Sequence, residues 1–446
     1  MIQCKNCGGN VKFDIKSQKM LCNFCDTYYD PYEFEDNAAS AEEHDTYESK
    51  IFTCPECAGE IISEENEAAT FCSFCGASTV LASRIINSKR PNSIIPFKIT
   101  KDECKEIYKK RMSKALYAPA EVKDEQFIDS FRGIYMPYWV YNATQNKYVN
   151  LKAQKHYRSG DYRIEEDYAV DFYLDGDYKG ISHDASASFA DTISGAIAPY
   201  DHSNAVKFSP SFLSGFYADT TDVESEVYLD DIEEICNTTT QKQIETNVHL
   251  NGKTIKYPPV NKSELFNTKV SCDEEAMYPV WFVSHRQGDR VTYTTINGVT
   301  GKIAADIPID IKKYLIGSSL VAIPIFILLC VLPTLIPRWT LCISTLLTII
   351  GLITVIVESI SIKNKETNAK DKGLRAKVTN NEDNTPKSKN IMAIIFSVCS
   401  ILMGVMVYIT KPVSDVYYYA AVILQLIASI NSYIVVIANY NLLSTR

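Results

Sequence analysis

Residues 4–25 read CKNCGGNVKFDIKSQKMLCNFC, and residues 54–75 read CPECAGEIISEENEAATFCSFC. Both have the spacing Cys-x2-Cys-x14-Cys-x2-Cys, and the second is the first displaced by 50 residues. Cys-x2-Cys brings two thiolates onto one tight knuckle, and two knuckles at the ends of a short hairpin complete a tetrahedral site for zinc. The pattern predicts two zinc ribbons holding two structural Zn2+ ions, one on Cys4, Cys7, Cys22 and Cys25, the other on Cys54, Cys57, Cys72 and Cys75. Four thiolates leave no open coordination position, so the metal serves folding rather than catalysis. An iron–sulfur site or a redox pair is the alternative chemistry for such pairs. Gly8-Gly9, Gly59 and Gly76 supply the small residues these turns want.

Working outward, the other six cysteines are scattered, and MIQCKNCGG has no apolar stretch of the kind a signal peptide carries. Paired thiols in such a chain belong in a reducing cytosol. The far end is different. Leu315 to Ile336 is 22 residues without a charge, and three more apolar stretches follow. Crossing a ~30 Å hydrocarbon core takes about 20 residues, so four transmembrane helices are expected, at 314–337, 339–362, 391–410 and 416–438, with Pro324 and Pro333 bending the first. Lys312, Lys313 and eight Lys/Arg in the 363–390 loop stand against Arg338 and Lys411 on the opposite side. That bias predicts a multi-pass protein of the cell membrane whose N-terminal domains, basic loop and C-terminus are cytoplasmic. Glu358 lies near a helix end, while Gln425 and Asn431 lie deeper and suit hydrogen bonds between helices.

Charge is partitioned in the same way. Residues 1–310 carry 32 Lys/Arg and 48 Asp/Glu, a net of −16, whereas the remaining 136 residues carry 13 and 6, a net of +7. An acidic soluble part argues against gripping a phosphate backbone. The weak point of that exclusion is ribbon one, with Lys5, Lys12, Lys16 and Lys19 among aromatics.

Between the ribbons (1–30 and 51–83), residues 31–50 read as an acidic connector. From 93 to 310 an α+β domain built mainly on antiparallel sheet is expected. Ile94 to Phe97 reads as a short strand, and Thr100 with Glu103 is a capping box opening a helix to about Lys114. Residues 131–175 alternate apolar and polar as strands do, 184–197 and 221–249 look helical, and the Tyr278–Trp281 strand leads through 291–296 to a turn at Asn297–Lys302. The fold class is thus α+β multidomain: two Cys4 ribbons, an α+β cytosolic domain and a four-helix transmembrane region.

Motifs along this frame are Ile95-Pro96-Phe97-Lys98, Gly133-Ile134-Tyr135-Met136-Pro137-Tyr138-Trp139, Pro199-Tyr200-Asp201, Phe208-Ser209-Pro210, Tyr278-Pro279-Val280-Trp281 and Asn297-Gly298-Val299-Thr300-Gly301-Lys302. Following tandem ribbons, this set resembles the bacterial TFIIB-type zinc-ribbon membrane proteins. The resemblance covers residues 1–310, implies no enzymatic activity, and implies company with phage-shock-protein-A-like or SPFH proteins in membrane-stress or membrane-organisation work.

Catalytic constellations fail. There is no G-x-x-x-x-G-K-[ST], G-x-S-x-G or H-E-x-x-H. Ser182-His183-Asp184 reads as a turn, since triad members meet through folding and not adjacency. The Pro137-Tyr138-Trp139 and Pro279-Val280-Trp281 aromatics read as core, with a ligand groove as the alternative. The expected function is a membrane-anchored zinc-ribbon scaffold or adaptor that binds proteins and is not an enzyme. The alternatives are a membrane-tethered nucleic-acid-binding regulator and, behind it, a transporter component.

Overall fold

The computed structural model describes residues 2–34, 46–55, 59–62, 72, 82–189, 191–247, 253–258, 262–287, 290–331, 336–366 and 387–442. The first ribbon is a small antiparallel sheet of β1 (Val11–Asp14), β2 (Lys19–Cys22) and β3 (Tyr28–Tyr29). A much larger sheet follows, from β4 (Thr46–Thr53), β5 (Glu60–Ile62), β6 (Ala82–Lys89), β7 (Ser93–Ile94), β8 (Arg132–Ser159), β9 (Tyr162–Asp184), β10 (Val206–Lys207) and β11 (Tyr217–Asp219) to β12 (Lys253–Lys256), β13 (Thr268–Gln287), β14 (Arg290–Asn297) and β15 (Ile303–Ala305). Its main path runs β10-β7-β13-β8-β11-β5-β4-β6, with β9 and β12 also on β8 and β14 and β15 beyond β13. Among the described strands all pairings but two are antiparallel, the exceptions being β11 with β8 and β13 with β7. The expected α+β, mainly antiparallel domain is the one found.

The sheet separates two cores, and strand periodicity says which residue goes where. On β8 and β13, Tyr135, Met277, Trp281 and Val283 face one core with Ile94, Phe97 and Tyr108. Ile134, Met136, Tyr138, Tyr278, Val280 and Phe282 face the other with Phe189, Ile197 and Tyr200. The first core is covered by α1 (Lys101–Ser113), which starts at the expected capping box: Thr100 accepts from the Glu103 N–H, and the Glu103 carboxylate accepts from the Thr100 N–H at 2.7 Å. The short α2 (Glu125–Asp129) adjoins it. The second core is covered by α3 (Asp191–Ile197). Helix α4 (Leu229–Asn247) and the short α5 (Lys262–Phe266) pack along β8, β9 and β13 further out.

Several boundaries move. The acidic connector expected over 31–50 gives way to a 3-10 turn at Pro31–Phe34 and to β4 from Thr46, and residues 35–45 lie outside the described ones. The strand expected over Ile94–Phe97 is only β7, because Pro96 has no N–H to donate. Only the second half of 184–197 is helical. Ser182-His183-Asp184 is not a turn: it ends β9, in register with Val140, Trp139 and Tyr138 of β8.

The apolar tail forms α6 (Ile311–Val331), α7 (Pro337–Glu366), α8 (Lys387–Thr410) and α9 (Asp415–Leu442). Among the described residues, three helices are long and apolar enough to cross a membrane, within Pro337–Ser361, Asn390–Thr410 and Asp415–Asn439. They pack against one another, and Gln425, fully buried among them, hydrogen-bonds Ser344, Thr345 and the Ser400 carbonyl on the two neighbouring helices. The four-helix expectation is corrected here: among the described residues three helices qualify, and these three pack together. Helix α6 meets the α+β domain at its first turn through Lys313 and Tyr314, and its described apolar residues beyond Leu320 are exposed. Pro333 and the central part of the 363–390 loop (367–386) lie outside the described residues.

Candidate metal centre

Ribbon one assembles its four cysteines from two knuckles of the same design. In the first, the Cys4 N–H donates to the Gly9 carbonyl (2.7 Å) and the Gly8 N–H returns to the Cys4 carbonyl (2.9 Å). In the second, the Cys22 N–H donates to the Thr27 carbonyl (3.0 Å) and the Asp26 N–H to the Cys22 carbonyl (2.9 Å). Each knuckle closes through a left-handed residue, Gly8 at φ +71° and Asp26 at φ +53°. Asp is one of the few side chains that tolerates that conformation, so the second knuckle needs no glycine. The knuckles bring Cys4 Sγ to 3.5 Å from Cys25 Sγ and Cys7 Sγ to 3.5 Å from Cys22 Sγ, with all four sulfurs within 4.8 Å of one another. A tetrahedron with Zn–S bonds of ~2.3 Å has edges of about 3.8 Å. Disulfides would need sulfurs at about 2.05 Å, so these are ligands-in-waiting. Together the four can hold one metal ion, and a four-sulfur set is compatible with zinc.

The surroundings favour thiolate. The Tyr29 hydroxyl donates to Cys4 Sγ at 3.1 Å, the Asn6 N–H approaches the same sulfur at 3.4 Å, the Gly9 N–H approaches Cys7 at 3.4 Å, and Thr27 contacts Cys25 at 3.2 Å. Tyr29 is the main reason the Cys4 thiol is pulled down to about 6, and holding that donor pushes the Tyr29 hydroxyl up to about 12. The Thr27 hydroxyl and then Cys7 lower Cys25. Cys7 pulls the other way. Its Gly9 N–H lowers it, but the neighbouring Cys25, desolvation, Cys22 and Cys4 outweigh that and push it up to about 12. Four sulfurs this close cannot all be charged alone; a dication removes the repulsion, and binding releases the remaining protons.

Ribbon one is also tied to the domain beneath it. Val11, Phe13 and Met20 belong to the first core, and Phe13 packs on Phe212 with ring centroids 5.2 Å apart. The Phe13 N–H donates to the Ser214 carbonyl (3.1 Å), Ser214 Oγ to the Val11 carbonyl (2.8 Å), and Gln18 Nε2 to the Phe97 carbonyl (2.7 Å). The knuckle tips point away, with Phe24 86% exposed.

The second cysteine set repeats one knuckle bond of the first where it is described. The Cys54 N–H donates to the Gly59 carbonyl at 3.0 Å, the same bond as Cys4 to Gly9, displaced by 50 residues. Cys54 and Cys72 are both buried in the second core; Cys57, Cys75 and Gly76 lie outside the described residues. No family model matches the chain, and no solved structure matches it. It is similar to the uncharacterized protein YdjG of Bacillus subtilis (strain 168). The two are 27% identical over 316 residues, which is 70% of this chain and 91% of that protein.

Sequence reading missed Tyr29, Thr27 and Asp26. Tyr29 and Thr27 lie within four residues of Cys25, so proximity to a ligand was the available signal. A second group, His183, Asp184 and Asp191, also brings its ligand atoms within 4.8 Å of one another. His183 stacks on Tyr228 with ring centroids 3.8 Å apart, and Asp184 is buried. The expected hairpin at Asn297–Lys302 is present: Asn297 Oδ1 accepts from the Val299 and Thr300 N–H groups, and the chain crosses at Gly298, where a Cβ would meet Phe97 at 2.7 Å.

Proposed function

We propose that this protein is a non-enzymatic, membrane-anchored adaptor of the TFIIB-type zinc-ribbon kind, carrying two structural zinc ions and presenting a cytosolic surface to other proteins. The observation that carries the reading is the mounting of ribbon one. Its base is locked into the first core, while its closed four-thiolate end projects Phe24 into solvent. A coordination shell filled by protein has no place for substrate, so the metal can only stiffen the knuckles. Large exposed aromatics on a rigid turn are what protein interfaces are built around. The second zinc rests on the repeat spacing and on the matching Cys54–Gly59 bond. The cytoplasmic orientation rests on the Lys/Arg bias around the apolar helices.

The test is cross-linking in native membranes followed by capture of the full chain. Phe24→Asp should keep its zinc and lose the cross-linked proteins. A captured set unchanged by Phe24→Asp, with zinc retained, would remove the basis of the reading.

A further inference from the structure

A cleft of about 520 Å3 opens where the second ribbon's strands join the α+β domain, between β4–β6 and the β8–β11–β13 region. Its rim and floor include Tyr47, Lys89, Trp139, Glu224 and Glu275. Glu275 is the unusual member. It stands opposite Trp139 in the β13–β8 ladder and is only 4% exposed. Thr221 donates to its Oε1, and the Asn92 side chain fixes its backbone N–H at 3.1 Å, but Oε2 has no hydrogen-bond partner. A buried carboxylate oxygen left without a donor is costly. What approaches it is the Lys89 ammonium, 3.7 Å from Oε2 and 5.7 Å from the centre of the Trp139 ring. Lys89 reaches in from a strand at the end of the sheet path, and its side chain is 71% exposed.

An ammonium over an indole face beside a buried carboxylate is the arrangement by which proteins recognise alkylammonium and guanidinium groups. We propose that this cleft binds a lysine or arginine side chain on a peptide segment of a partner protein, and that Lys89 is an internal stand-in which the partner's cation displaces. The occupant is favoured by charge. Glu224 adds to Glu275 at the lining, and residues 1–310 carry a net −16. Lys89 is tied to the site by one long ion pair and a distant ring, so displacing it costs little. The proposal deepens the adaptor reading by giving the partner's chemistry, and it rests on that reading for the source of the cation.

The experiment titrates the full-length, zinc-loaded protein in nanodiscs with acetyl-Gly-Arg-Gly-amide, with acetyl-Gly-Glu-Gly-amide and agmatine as comparisons. The arginine peptide should bind and the glutamate peptide should not. Lys89→Ala, a change at an exposed side chain, should tighten arginine-peptide binding by about threefold. Glu275→Gln, which keeps the shape and removes the charge, should weaken it by about thirtyfold or more. A purely structural Lys89–Glu275 pair predicts no gain in the lysine variant. Binding that is unchanged or weaker in Lys89→Ala therefore overturns the proposal even where Glu275→Gln fails to fold. Agmatine binding as tightly as the peptide would overturn the peptide source in favour of a small free cation. Because the peptide is defined, its failure counts against the cleft alone. Loss of captured proteins' dependence on Phe24 counts against the adaptor.

Discussion

The two ribbons share a sequence pattern and a knuckle hydrogen bond, yet the fold uses them differently. Ribbon one keeps its own three-stranded sheet and lies on one core through Val11, Phe13 and Met20. The described strands of ribbon two belong to the large sheet instead. Its β5 pairs with β11 through Ile62–Ala218 and Ile61–Asp219, while β4 bonds β5 on one side and β6 on the other. Alternating residues of that hairpin enter both cores, Ile51 and Ile62 the first, Phe52 and Ile61 the second. A module resting on a face can fail alone. A module woven into a sheet takes its neighbours with it.

That contrast can be broken, and the largest effect comes first. With the proposed second zinc, Cys54→Ser should cost a metal-coupled folding free energy on the order of 10 kcal/mol, and the loss should spread to the large sheet through β5 and β11. Circular dichroism and zinc content of the full-length protein would show it. A sheet that survives intact would make the second ribbon as separable as the first. Cys22→Ser should release one zinc and expose residues 2–34 to proteolysis while leaving protection of β8 and β13 amides to hydrogen exchange unchanged. Loss of that protection would erase the difference between the ribbons.

Smaller effects sharpen the picture. Phe13→Ala removes the ring that packs on Phe212 and should cost about 3–5 kcal/mol in the docking of ribbon one. Its zinc stoichiometry should not change, because the four ligands are held by the knuckle bonds of Cys4–Gly9 and Cys22–Thr27. Tyr29→Phe removes the donor that holds Cys4 near 6. The Cys4 pKa then rises, one more proton competes with the metal at neutral pH, and the pH of half-maximal zinc retention should move upward. Loss of such a supporting donor typically weakens metal binding about tenfold or more. A competition titration with a chromophoric chelator across pH 5–8 reads both the size and the sign.

Nucleic-acid affinity is the least expected outcome. Lys16 and Lys19 are exposed on ribbon one, but the body carrying them has a net −16. DNA binding at physiological salt that Lys16→Glu and Lys19→Glu abolish would bring the membrane-tethered regulator forward.

The features readable in advance were those written in short-range spacing. The Cys-x2-Cys pairs, the Thr100–Glu103 box and the apolar helices each depend on residues within a few turns or knuckles of one another. The α+β class followed from alternation along 131–175. The joining of ribbon two to the domain was not legible, because the β5–β11 pairing links residues more than 150 positions apart and two three-residue strands carry no periodic signal. The cleft was hidden for the same reason. Trp139 reads as a core aromatic, and only the folded sheet brings Lys89 and Glu275 to it. The exposure of α6 over Val321–Ile327 was not legible either, because composition reports apolarity and not which neighbour covers it.

Helix α6 is anchored at its base. The Asp310 N–H donates to the Tyr117 carbonyl (2.8 Å), Lys313 Nζ to the Ala118 carbonyl (2.8 Å), and the Tyr117 and Tyr314 rings meet edge-on at 5.3 Å. A head carried on a slack tether sweeps a wide volume and meets partners at any tilt. This head is bolted to its mast. Wherever α6 is set, the azimuth of the sheet is set with it, and a rotation of that helix by one residue would swing the knuckles and the cleft through the same angle of about 100°.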